Sequence, residues 1–236
     1  MTNKNPIYLA IDSDVLRTLT LLDILKKEHS YVDIDKIKDS SLKKDFNYFN
    51  RLYNALNHDE IRPLIVDAVY QESKHSASLV NFMKNHCYFP KINLVNYQEK
   101  ATEARELANA YCSPFKLGGK EFPAPMKKVF HADENKHAPS NDCYIMAQAT
   151  IEGICLITAN GQDFIFDDKS NIENHFRSMG IINVNMIKGY CSGDVKKYGI
   201  PRPYHIETIG PMIKQTLKFS AFPAFNEFEK GNDLIT

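Results

Sequence analysis

The sequence predicts an α/β fold: three layers, α/β/α, around a central parallel sheet. Two observations predict it. Ile7–Ile11 is a continuous apolar run, as a parallel strand covered on both faces requires. Apolar runs then recur at residues 62–66, 92–95, 154–158 and 181–187, with helical periodicity between them, the pattern of linked β–α–β units.

The first run stops at Asp12-Ser13-Asp14, and Val15, Leu16, Leu19, Leu22, Ile24 and Leu25 begin a helix that reaches Lys26-Lys27. Acids that end a strand and open a helix lie at the carboxyl edge of the sheet, where open α/β sheets bind ligands. One such Asp serves as a helix cap; a second is free for another task. Residues 26–60 form a helical insertion, with Phe49, Leu52, Tyr53 and Leu56 at helical spacing over 42–57. That stripe suits a core or dimer contact, with a nucleic-acid stacking face as the alternative.

After the second strand, Asp67 is expected to cap one helix running to residue 85, with Val69, Ser73, Ser76, Val80 and Met83 buried. Glu72 lies beside that stripe, where a carboxylate calls for a cation, a metal or the solvent margin. Propensity makes 102–110 a helix. Residues 113–138 read as a long loop with a short helix near 126–130, rich in Pro, Gly, Lys and His. It is either a functional basic loop able to track a phosphate backbone or a plain solvated one.

Ser140 is a good N-cap for the next helix, and Asp142 falls in its first turn, where the macrodipole favours negative charge. Ile145, Met146 and Ala149 follow at three, four and seven residues, so Asp142 shares the face that packs on the sheet. The strand after Gly153 delivers Thr158, Asn160 and Asp163 at its end. A helix over 172–179 and a strand over 181–187 complete a domain of residues 1–194. Residues 195–236 are expected to be an aromatic-rich extension that packs on the body or on an oligomer partner.

The length of 236 residues allows one large domain or one domain with an appendage, and 43% hydrophobic and 25% charged residues suit a soluble globular chain. Lys plus Arg and Asp plus Glu both number 29, which excludes a globally basic nucleic-acid binder but allows a local basic channel. The five cysteines show no C-x-x-C pair and no zinc spacing, which points to reduced thiols and a cytoplasmic location. No signal peptide and no run of bilayer-spanning length is evident, so no membrane association is expected.

Asp12, Glu72, Asp142 and Asp163 thus fall at element ends expected to converge on one sheet edge. Clustered carboxylates repel one another unless a divalent cation offsets their charge. Oxygen ligands favour Mg²⁺ or Mn²⁺ over zinc, and such ions promote in-line displacement at phosphorus. Metal-dependent phosphodiester hydrolysis is the chemistry that follows.

The sequence resembles the PIN-domain ribonucleases, including VapC-type toxins. The motifs that carry the likeness are Ile11-Asp12-Ser13, Ala68-Val69-Tyr70-Gln71-Glu72, Asn141-Asp142-Cys143-Tyr144-Ile145-Met146-Ala147-Gln148-Ala149, and Leu156-Ile157-Thr158-Ala159-Asn160-Gly161-Gln162-Asp163-Phe164. The resemblance spans residues 6–187. It implies a PIN-like sheet and an endoribonuclease in which Asp12, Glu72, Asp142 and Asp163 bind Mg²⁺ or Mn²⁺, Glu72 directly or through water, with Thr158 and Asn160 in support. RNA is the implied substrate and an antitoxin protein the implied partner; a homodimer is the partner expected from the apolar stripe of 42–57 or from the C-terminal extension. Lys116, Lys120, Lys127 and Lys128 are candidate contacts to the RNA backbone. The chain departs from compact family members by its length, and Asn160 stands where many carry Asp.

Two alternatives stand beside this. Asp12-Ser13-Asp14-Val15 also resembles the motif of haloacid-dehalogenase-like phosphatases, in which Asp12 would be the nucleophile and Asp14 the acid/base. A catalytically silent α/β interaction module is the other.

Overall fold

In the computed structural model, the described residues are 6–29, 31–91, 97–112, 115–117, 120–122, 139–152, 156–158, 204–205 and 228–234. Strand β1 (Ile7–Ile11) runs into helix α1 (Ser13–Glu28), and helix α2 (Ser40–Asn57) follows after a short 3₁₀ turn at Ile34–Lys36. Strand β2 (Ile61–Leu64), helices α3 (Asp67–Ser73) and α4 (Ala77–His86) and strand β3 (Tyr88–Pro90) come next. Helix α5 (Tyr97–Cys112), strands β4 (Phe115–Leu117) and β5 (Lys120–Phe122), helix α6 (Asn141–Ile151) and strand β6 (Leu156–Thr158) complete the middle of the chain. Strands β7 (Tyr204–His205) and β8 (Phe228–Lys230) and the short helix α7 (Gly231–Leu234) lie toward its end.

The fold is α/β. The central sheet has the order β7-β6-β1-β2-β3-β8. Every pairing from β7 to β3 is parallel, and β8 joins β3 antiparallel with Phe89 opposite Glu229. The chain moves from β1 to β2 and β3 on one side, then to β6 and β7 on the other. Strand order therefore reverses between β1 and β6, and a crevice at the carboxyl ends of those two strands is the place where such sheets take ligands.

Local chemistry explains the main helices. Asp12 and Asp39 cap α1 and α2, accepting from the amides of Val15 and Leu42, each at 2.7 Å. Asp14 in the first turn of α1 and Lys26 and Lys27 in its last complement the helix dipole. Leu9, Ile11, Leu16, Leu19, Leu22, Phe49, Leu52 and Ile61 are completely or almost completely buried in one core. Helix α2 is part of that core, so its aromatic stripe is an internal contact.

Several expectations need correction. The single helix over 67–85 is two, α3 and α4, separated at Lys74–Ser76, and Val66 rather than Asp67 stands at the N-cap of the first. Strand β3 falls on Tyr88–Pro90, while the run at 92–95 lies outside the described residues. The loop over 113–138 is not structureless throughout, because β4 and β5 pair antiparallel with Lys116 opposite Glu121. From the stretch 195–236, read as an extension, β7 and β8 both pair into the central sheet. Gly231 is needed where α7 meets α4: a Cβ there would lie 2.4 Å from the Met83 carbonyl oxygen. The expected elements at 126–130, 172–179 and 181–187 are outside the described residues. Among the described residues, no helix is long and apolar enough to cross a membrane.

Candidate functional site

Asp12 leaves β1 at the point where strand order reverses. Its backbone N–H donates to the Ile157 carbonyl of β6 at 3.1 Å, continuing the ladder one residue past the strand. Its side chain turns back to cap α1, and it hydrogen-bonds with Thr158 of β6. Cap and candidate ligand are thus one residue. Asp12 is only 4% exposed. Burial pushes its carboxyl up from the ordinary 3.8 to about 7. The hydrogen bonds from Thr158 and Val15 pull the other way, and the charges of Asp14 and Asp142 push it further up.

Asp142 reaches this place from α6. Ser140 precedes that helix, with its hydroxyl 3.4 Å from the Cys143 amide, and Cys143, Ile145, Met146 and Ala149 seat the helix in the core. Asp142 itself is half-buried in the first turn, near enough for its charge to bear on Asp12. Asp14 is more open and pairs with Arg17 at 2.9 Å.

Glu72 comes from the end of α3 and is exposed. It accepts a hydrogen bond from the Ser13 hydroxyl and another from Asn141 Nδ2, the latter at 2.7 Å. Helix α3 is steadied from α6, where Gln148 Oε1 accepts from the Ala68 backbone N–H at 2.9 Å. The structure therefore gathers Asp12, Asp142 and Thr158 at the crevice and sets Glu72 at its margin. Asn160, Asp163, Lys127 and Lys128 lie outside the described residues. Lys116 is on β4 and Lys120 on β5.

Sequence reasoning missed Ser13, Asn141 and Gln148 as site residues. The first two adjoin Asp12 and Asp142, and all three stand within the motifs quoted above, which were the available signals.

Among the described residues, no three His, Cys, Asp or Glu side chains form a group able to hold a metal ion. The donors that do meet are hard carboxylate oxygens, and no basic side chain among the described residues ion-pairs with Asp12. A buried carboxylate within electrostatic reach of a second one suits a hard divalent cation, and one or two protein carboxylates are an ordinary complement for Mg²⁺. No family model, no curated protein and no solved structure matches this chain.

Proposed function

We propose that this chain is a cytoplasmic Mg²⁺- or Mn²⁺-dependent endoribonuclease with a PIN-like, three-layer α/β/α arrangement. The observation that carries the reading is Asp12, a buried carboxylate at the end of the central strand with the charge of Asp142 acting on it. In this reading Asp12, Asp142 and Asp163 hold the cation, with Glu72 close by and Asn160 in support. When bound, the cation offsets charge on the phosphodiester and activates the attacking water.

The protein's own part is placement. Val15 and Thr158 fix the Asp12 carboxylate, so it needs little reordering when substrate arrives. The core-seated α6 carries Asp142 in its first turn, where its charge acts on Asp12. Hydrolysis in this geometry leaves 5′-phosphate and 3′-hydroxyl ends, as the family resemblance implies. Lys116, Lys120, Lys127 and Lys128 are assigned to the RNA backbone, and binding that weakens with salt and with their replacement tests them. A toxin role with an antitoxin partner and a homodimer belong to the same reading.

For the phosphatase alternative, Asp14 would have to act as acid/base, yet it sits in the first turn of α1 engaged with Arg17. Asp142→Asn is expected to reduce Mg²⁺- or Mn²⁺-dependent RNA cleavage to background in a folded protein. Unchanged cleavage overturns the proposal, as does a Mn²⁺ anomalous signal located away from these acids.

A further inference from the structure

Both carboxylate oxygens of Glu72 are engaged, Oε2 by Ser13 and Oε1 by Asn141. The donors are the residue after Asp12 and the residue before Asp142, 59 and 69 positions distant in the chain. Glu72 therefore links the first turn of α1 to the first turn of α6. It does so from outside, because its own side chain is exposed while Asp12 is buried. The helix that carries it is held in place by Gln148, from the same α6 that carries Asn141 and Asp142.

We propose that Glu72 is a positioning residue that braces the N-termini of α1 and α6 and thereby sets Asp12 against Asp142, rather than a ligand of the cation. This rests on the metal-dependent reading of the site. Groups that orient ligands from outside the coordination sphere commonly control metal affinity about 10–100-fold. The brace requires hydrogen-bonding shape more than charge. A glutamine at this position keeps both contacts: its oxygen accepts from Asn141, and its amide donates to Ser13, whose hydroxyl accepts as readily as it donates. A carboxylate bound directly to the cation would lose its charge in that exchange, and with it much of its affinity.

The test compares wild type, E72Q, E72A and the S13A/N141A pair by Mn²⁺ titration calorimetry and by thermal unfolding without metal. E72Q is expected to bind Mn²⁺ within about threefold of wild type and to unfold with it. E72A and S13A/N141A are each expected to bind about tenfold more weakly and to lose about 2–4 °C in Tm. Combining E72A with S13A/N141A should add little further loss, because all three residues form one unit. Loss of affinity in E72Q equal to that in E72A makes Glu72 a ligand and overturns the brace. Additive losses in Tm overturn it as well. Absence of Mn²⁺ binding by wild type overturns the metal-dependent reading instead, and the metal-free unfolding series still decides the brace.

Discussion

Gln148 accepts a hydrogen bond from the backbone N–H of Ala68 at 2.9 Å, across 80 residues of chain. It caps from outside a helix whose own N-cap residue, Val66, offers no side-chain acceptor. Gln148→Ala is expected to cost about 1 kcal/mol, seen as a Tm lower by about 2–4 °C. Gln148→Glu keeps the acceptor and adds favourable charge at a helix start, so its Tm should match wild type. Equal melting of all three proteins would remove Gln148 from this role.

Asp12 links the site to the pH dependence of stability. In the folded, metal-free protein its carboxyl keeps a proton up to about pH 7, against an ordinary 3.8. Between those values the folded chain binds more protons than the unfolded one, so stability falls as pH rises. The contribution is complete below the lower value, gone above the higher one, and about 4 kcal/mol in size. Asp12→Asn retains an oxygen to cap Val15 and should flatten the slope, leaving the variant more stable than wild type above about pH 7. Denaturant titrations across this range measure it. Parallel wild-type and variant curves would show that Asp12 is not the group responsible. Saturating Mn²⁺ should flatten the wild-type curve too, by favouring the ionised carboxylate.

The burial of α2 makes a third outcome measurable. Phe49 is fully buried in the common core, and Leu52 and Leu42 share its helix and its environment. Phe49→Ala is expected to destabilise the whole domain by about 3–5 kcal/mol, in one cooperative transition. A loss confined to local opening of α2, read by hydrogen exchange, would mark the helix as an appendage instead.

Elements with strong local signals were legible. Helix α1 has its Asp12 cap, apolar spacing and terminal lysines; α2 has its aromatic stripe; α6 has Asp142 in the first turn with Ile145, Met146 and Ala149 behind it. Elements set by few residues were not. Strand β3 has three residues and no alternation to announce it, and the break between α3 and α4 carries neither Gly nor Pro. The paired strands β4 and β5 are three residues each, and the surrounding prolines and lysines read as loop.

For the site, residue type and local position were enough to nominate Asp12, Asp142 and Thr158, because strand ends and helix starts can be read from short-range pattern. The sequence by itself determined an α/β chain with acids at the ends of its elements. Only tertiary structure decided that β6 lies beside β1, which brings Thr158 and Asp142 to Asp12, and that burial there raises the Asp12 carboxyl. It alone decided that Ser13 and Asn141 meet on Glu72 and that Gln148 caps α3. Strand order and side-chain partners separated by 59 to 80 residues depend on how the apolar faces pack, and no local pattern encodes that choice.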